Sequence, residues 1–388
     1  MIELLWLLLP VAAATGWWTG RRRGRGAAGG ARGRYAPDYY RGLAYLLDEQ
    51  QDKAIELFIK LVQVDKDTVE THLTLGNLFR RRGEVDRAIR IHQNLIARPR
   101  LPRAVRSEGQ LELARDYLAA GLLDRAEGVF TELLKSSRHT SEAYAGLVLI
   151  YEREREWRSA IDTAERCYRA TGESRRAVIA HYHCEMAEEA RCAGDTDSAR
   201  RLMDEALRFD ADCARASMQL GDLAAGDGDP EAAVEHYRTV QRQSPELLPE
   251  VIDRLIEAVR CSGDAKALDA LIVDSDDQLG AFKVTRAITG LIAERQGERA
   301  AARFFKEQLV KRPSLKALHH WAGMELQRRK SGERENIQVV VDMLDRVIAR
   351  RPGYLCSHCG FKGQTLHWHC PGCHRWDTIR PLLGEENE

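Results

Sequence analysis

Two Cys-x-x-Cys pairs close the chain, Cys356-Ser-His-Cys359 and Cys370-Pro-Gly-Cys373, with ten residues between them. A pair on one tight turn directs two sulfurs to the same point, so two pairs can hold one ion tetrahedrally, at ~2.3 Å per sulfur for zinc. The turn chemistry suits this: Gly360 follows the first pair and Pro371-Gly372 lies inside the second. Cys356, Cys359, Cys370 and Cys373 are therefore the predicted metal ligands, holding one tetrathiolate-bound ion, iron or zinc, which the spacing does not separate. Tyr354, Phe361, Trp368 and Trp376 are expected to give the site its apolar cover. His358, His367, His369 and His374 crowd the same segment, but four sulfurs already saturate a tetrahedral ion, which leaves the histidines as surrounding or surface groups.

Nothing beside these thiolates reads as catalysis. A closed four-sulfur site lacks the open coordination position that hydrolysis needs, and phosphate-loop, zinc-protease and nucleophile-elbow signatures are missing from the sequence. His181-Tyr-His183-Cys184-Glu185 has reactive residue types, yet on a helix residues two apart point to different sides, and packing is the better reading. Cys167, Cys184, Cys192, Cys213 and Cys261 stand singly in helical pattern and read as small core hydrophobes. The chain is read as a non-enzyme.

The elements that carry these residues repeat. A small or apolar residue on a helical stretch recurs at Ala54, Ala88, Ala126, Ala160, Ala199, Ala233, Leu268 and Ala302, in steps of 34 to 39 residues. In six of these units a glycine stands five residues ahead: Gly83, Gly121, Gly194, Gly228, Gly263 and Gly297. Such a period belongs to helical hairpins of the tetratricopeptide type, with glycine in the left-handed conformation ending each first helix. Gly76 and Ala88 are expected to let paired backbones approach. One hairpin cannot bury its own apolar face, so the units must stack into an α-solenoid with a groove. Residues 35–350 are assigned to this mostly α superhelix of eight to nine units, with 315–349 as a degenerate last pair. Its register offers Glu70, Leu73, Asn77 and Arg80, then Glu108, Leu111, Arg115 and Leu118, as groove positions for a partner.

The amino terminus supplies location. Ile2–Trp18 is apolar apart from Glu3 and Pro10, long enough at ~1.5 Å per residue to just cross a bilayer. Trp17 and Trp18 sit where an aromatic belt meets the headgroups, and Arg21, Arg22 and Arg23 open a basic stretch without an acidic residue before Asp38. Residues 1–20 are predicted to be a retained transmembrane helix and 21–34 a basic Gly/Arg-rich linker. The amino end is then periplasmic and the body cytoplasmic, where thiolates stay reduced. Formal charge is zero, from 59 basic and 59 acidic side chains. Six arginines against Glu3 before residue 35 leave a body of net −5, which argues against nucleic acid and for protein partners. Self-association as a homodimer stays open.

Across its whole length the chain resembles the lipopolysaccharide assembly protein B family of Gram-negative bacteria. The resemblance rests on the anchor Leu7–Ala14, on Leu73-Thr-Leu-Gly76-Asn-Leu-Phe79-Arg80 with Gly83-Glu-Val-Asp-Arg87-Ala-Ile-Arg-Ile-His92-Gln, and on Trp368-His-Cys370-Pro-Gly-Cys373. It implies a rubredoxin-like metal-binding domain over 351–388, although the two pairs stand closer together than in rubredoxin itself, which favours a structural ion. It further implies an inner-membrane adaptor that regulates lipopolysaccharide biosynthesis. In that role the family promotes proteolysis of the deacetylase LpxC by the membrane protease FtsH and gathers lipopolysaccharide-synthesis or transport proteins. An iron-based redox sensor or electron carrier, and a generic peptide-binding co-chaperone, are the alternatives the residues allow.

Overall fold

The computed structural model describes residues 37–382 apart from 49, 65–68, 275–280 and 329–330. The predicted anchor and basic linker, with Trp17, Trp18, Arg21, Arg22 and Arg23, lie outside the described residues. Among the described residues no helix is long and apolar enough to cross a membrane.

Helices follow one another in antiparallel hairpins up to residue 348. The chain divides within the seventh helix into two compact units, which end and begin at Ile150 and Tyr151. The first holds α1 (Pro37–Leu47), α2 (Gln51–Val64), α3 (Val69–Arg81), α4 (Val85–Ile96), α5 (Arg103–Ala119), α6 (Leu123–Lys135) and most of α7 (Thr140–Glu154). The second continues with α8 (Trp157–Thr171), α9 (Arg176–Cys192), α10 (Thr196–Phe209), α11 (Ala214–Gly226) and α12 (Pro230–Gln243). After a 3-10 turn at Pro245–Leu247 come α13 (Leu248–Ser262), α14 (Ala265–Asp274), α15 (Phe282–Gln296) and α16 (Glu298–Lys311). The last pair is α17 (Leu315–Arg328) and α18 (Ser331–Ile348).

The periodic small residues are the contact points of the hairpins. Ala54, Ala88, Ala126, Ala160, Ala199 and Ala233 are fully buried, and Leu268 is buried too. In the eighth unit the buried position is Ala301, one residue before the Ala302 that the period selects. Gly83, Gly121, Gly194, Gly228, Gly263 and Gly297 all have positive φ, between 72° and 92°. Gly263, with φ 74° and ψ 8°, is the left-handed cap that a residue without Cβ enters at no steric cost, whereas Gly297, with ψ 161°, ends its helix in the extended positive-φ region that glycine also reaches. Arg155 occupies the same place before Ala160 with φ 58°, a side-chain-bearing residue in glycine's conformation.

Four residues beyond several of these anchors stands a large side chain, and a helical glycine makes room for it. A Cβ on Gly42 would come within 2.7 Å of the Phe58 ring, on Gly146 within 2.3 Å of Phe130, and on Gly221 within 2.5 Å of Tyr237. Gly76 works in this way against His92, at 2.3 Å, rather than against Ala88. These glycines are packing devices, since rings seated on a bare helix backbone bury more area than a closer backbone approach would.

Beyond α18 the chain changes style. Three short strands, β1 (Tyr354–Cys356), β2 (Lys362–Gly363) and β3 (Ile379–Pro381), form an antiparallel sheet in the order β2-β1-β3. Cys356 pairs with Ile379 and Tyr354 with Gly363. Its core is only Tyr354, Cys356, Cys370 and Ile379, flanked by Phe361, Leu366 and Cys373. So small a core does not hold a sheet by itself, which is why a ribbon of this size is normally stapled by a metal.

Candidate metal centre and its seat on the repeats

The four predicted cysteines meet. Their sulfurs all lie within 4.8 Å of one another, with Cys356 Sγ 3.8 Å from Cys373 Sγ and Cys359 Sγ 3.7 Å from Cys370 Sγ. Sulfurs at ~2.3 Å from a tetrahedral ion stand about 3.8 Å apart, so the donor set fits one ion, iron or zinc. The first turn is built by Gly360, whose φ of 74° lets the chain double back after Cys359. The second is set by Pro371-Gly372, where a Cβ on Gly372 would approach Cys359 Sγ to 3.3 Å. Cys356 and Cys370 are buried while Cys359 is exposed.

Thiolate character is built into the buried side. Burial works against an ionised Cys356, but the Thr378 hydroxyl, 3.3 Å away, and the N–H groups of Cys359 and His358 bring its thiol down to about 5. Hydrogen bonds to the charged form favour it, and a deprotonated sulfur is what a metal takes. A metal bound here would cross-link the two turns, with every position filled by sulfur.

Two of the aromatic residues expected to cover this site do something else. Trp368 and Trp376 leave the ribbon core and face the repeats. Trp376 stacks on His181 of α9, with ring centroids 5.4 Å apart, and meets Tyr182 and Trp157 edge-on at 5.7 and 6.2 Å. Its Nε1 donates to Glu152 Oε1 at 2.8 Å, the same oxygen that accepts from the Tyr182 hydroxyl at 2.6 Å. Trp368 packs against the apolar core of the α11–α16 repeats, and the Arg215 guanidinium lies over its ring. Two polar clamps complete the seat: Tyr354 donates to Glu250 Oε1 at 2.9 Å, and Arg380, held by Asp377, donates to Glu246 Oε1 at 3.0 Å. Glu152, Glu246 and Glu250 thus anchor the ribbon from α7, the 3-10 turn and α13.

His181 is the ionisable centre of this seat. It is 3% exposed, and burial pushes its imidazole down to about 4, against Asp377, which acts the other way. The other members of its sequence cluster are packing groups as expected: His183 stacks on Phe209, and Cys184 lies 3.9 Å from Cys213, sulfur to sulfur. Cys167, Cys184 and Cys213 are buried, whereas Cys192 and Cys261 are exposed and so are not core residues. His369 stacks on Trp376 at 4.6 Å, a support for the tryptophan.

Between ribbon and repeats a cavity of about 720 Å³ remains, lined by Trp368, Arg215, Met218, Gln219, Asp222 and Arg191 among others. No feature of the sequence marks it, because its walls come from α9, the start of α10, α11 and the ribbon.

The predicted groove positions of the first unit divide into two kinds. Glu70, Glu108 and Arg115 are exposed, while Leu73, Leu111 and Leu118 are buried packing residues. Asn77 is half-buried with an unpartnered Oδ1. Arg80 bridges to Glu112 at 2.6 Å and to the fully buried Asp116 at 2.7 Å, and Arg115 also holds Glu112, at 2.6 Å. Asp116 also pairs through its Oδ2 with His92 Nδ1. Arg80 and Arg115 are therefore tied into an ion network across α3 and α5.

Residues 354–381 match the family described as a rubredoxin metal binding domain, and residues 71–104, 111–174 and 184–247 match tetratricopeptide repeat families. Lipopolysaccharide assembly protein B of Escherichia coli strain K12 is 37% identical over 385 residues, covering 99% of each chain. Its namesake in Haemophilus influenzae is 32% identical over 399 residues, covering both chains completely. Among solved structures, a tetratricopeptide repeat protein from Parabacteroides merdae covers 80% of this chain and 98% of its own at 12% identity and a TM-score of 0.36. The crystal structure of MamA covers 44% and 95% at 21% identity and a TM-score of 0.31. With full-length relatives above 30% identity and a ribbon of the matching family, this chain belongs to the lipopolysaccharide assembly protein B family.

Proposed function

We propose that the chain is a non-enzymatic, membrane-tethered adaptor that regulates lipopolysaccharide biosynthesis from the cytoplasmic face of the inner membrane. In this reading the repeats present a partner surface, and the metal-folded ribbon is fixed onto them so that both belong to one surface. The observation that carries it is the seat of the ribbon: Glu152, Glu246 and Glu250, from three separate elements, each accept a hydrogen bond from the ribbon. A metal site used only to fold its own small sheet would need none of these.

The partners proposed are the membrane protease FtsH and the deacetylase LpxC, with other lipopolysaccharide-synthesis or transport proteins gathered beside them. The apolar amino terminus supplies the tether, Trp17, Trp18, Arg21, Arg22 and Arg23 fix its orientation, and the exposed groove residues Glu70, Glu108 and Arg115 take part in partner binding. Holding protease and substrate on one short tether raises their effective concentration to the millimolar range, roughly, with no new chemistry from the adaptor. Photo-crosslinking in native membranes tests this: the protease and the deacetylase are expected among the captured proteins, and the deacetylase is expected to accumulate with Cys356→Ser. Unchanged deacetylase turnover in a metal-free variant would end the proposal.

A further inference from the structure

Two thiols outside the metal site stand against each other in the second unit. Cys184, in the middle of α9, and Cys213, which caps the start of α11, have their sulfurs 3.9 Å apart and are 0 and 3% exposed. They share one apolar core with Ala180, Met203 and Leu220. Buried Cys167, by contrast, meets the Thr171 hydroxyl. A disulfide holds its sulfurs about 2.05 Å apart, so from 3.9 Å about 1.9 Å has to be closed. Cys184 is fixed inside a helix. Cys213 instead ends a short turn in which its own N–H donates to the Asp210 carbonyl and that of Asp212 to the Asp210 carboxylate, and there the backbone gives more cheaply.

The pair is also chemically uneven. Hydrogen bonding from Cys184, opposed by burial and helped by the Ala216 N–H, holds the Cys213 thiol below its ordinary value, while the same bond and burial push Cys184 well above its own. The thiolate is the form that attacks an oxidant. We infer that Cys184 and Cys213 are a peroxide-sensitive pair that closes to a disulfide, with Cys213 as the attacking sulfur and Cys184 as the resolving one. The Cys213 thiolate attacks one oxygen of hydrogen peroxide, the O–O bond breaks, and hydroxide leaves and takes up a proton. The sulfur, oxidised by two electrons, is then a sulfenic acid. The Cys184 sulfur displaces its oxygen, which departs with the Cys184 proton as water. Two thiols and one peroxide thus become one disulfide and two waters. Burial selects a water-sized oxidant over a bulky one such as oxidised glutathione. The bridge joins the two helices that seat the ribbon, since His181, three residues before Cys184, stacks on Trp376, and Arg215, two after Cys213, lies over Trp368.

The test treats the full, metal-loaded chain with a small excess of hydrogen peroxide, blocks the remaining thiols and reads its tryptic peptides without reduction. Residues 177–191 and 209–215 are expected joined, less two hydrogen atoms, and parted again by dithiothreitol. Cys184→Ser should leave Cys213 as a sulfenic acid that dimedone captures. Cys213→Ser, which keeps a good capping residue at the helix start, should leave Cys184 an unmodified thiol. Closing a loop between positions 29 apart should also shift unfolding of the second unit roughly a hundredfold towards the folded state, with no such shift in Cys213→Ser. No joined peptide from the folded chain, at a dose that oxidises the exposed Cys192 and Cys261, would overturn the inference. So would dimedone capture at Cys184 instead of Cys213, or oxidised glutathione joining the pair as fast as peroxide does.

Discussion

Removing the Glu152 carboxylate should loosen the ribbon without touching its metal ligands. One oxygen of Glu152 accepts from both the Tyr182 hydroxyl and Trp376 Nε1. Hydrogen bonds to a charged acceptor contribute about 1.5–3 kcal/mol each. In Glu152→Ala the Tyr182 share falls on the repeats, where that side chain is fully buried. The Trp376 share falls on docking, and about 1.5–3 kcal/mol there corresponds to a roughly tenfold to hundredfold rise in the undocked population. Trypsin cleavage of the Arg375–Trp376 bond reads that population, because Arg375 is exposed but Trp376 is held against α9. When opening is fast relative to cleavage, the rate follows the equilibrium. Glu152→Gln keeps an acceptor oxygen and should raise cleavage by less than about tenfold. An unchanged rate in Glu152→Ala, with the ion retained, would show that the glutamate does not hold the ribbon.

Three further outcomes follow from single residues. His181 is pushed down to about 4 by burial, below its unfolded value near 6.5. The neutral imidazole therefore stabilises the seat fully above about pH 6.5, and this contribution is lost as pH falls towards 4, about 2 kcal/mol by pH 5. Chemical unfolding of the second unit at pH 7.5 and pH 5, with metal in excess, should show that loss in the parent and a smaller one in His181→Gln. Arg155→Gly should stabilise by about 0.5–1 kcal/mol, since the left-handed φ of 58° costs arginine more than the added chain entropy of glycine takes back. A lower unfolding midpoint would refute that strain. Gly221→Ala should cost roughly 1–3 kcal/mol, because its Cβ would sit 2.5 Å from the buried Tyr237 ring, and equal stability would mean the ring has room to move.

What the sequence disclosed was whatever has a local cause. The helical hairpins show through because each needs a small contact residue and a left-handed cap at fixed offsets, and Gly83 or Gly263 can be found by those offsets alone. Arg155 escapes this rule, as a cap held by its surroundings leaves no composition signal. The eighth anchor slipped from Ala302 to Ala301 because three consecutive alanines, from Ala300 to Ala302, give the period nothing to choose between. The cysteine ligands were legible because metal geometry fixes their spacing. The seat of the ribbon was not, since Trp376 and Glu152 are 224 positions apart, and Arg380 and Glu246 are 134 apart. A tryptophan near a metal knuckle reads as local cover until its partner across the repeats is known. Likewise Leu73, Leu111 and Leu118 share a register with exposed neighbours, but their burial is decided by the adjacent hairpin.

The proposed function rests most on a metal-folded ribbon fixed to the repeats as one surface. Titrating the full chain with a chelator, while following bound metal and cleavage of the Arg375–Trp376 bond together, tests it. The prediction is one ion per chain and a cleavage rate that rises in step with its removal. A ribbon that stays protected after the ion has gone, or that is cut freely while the ion is bound, would contradict it.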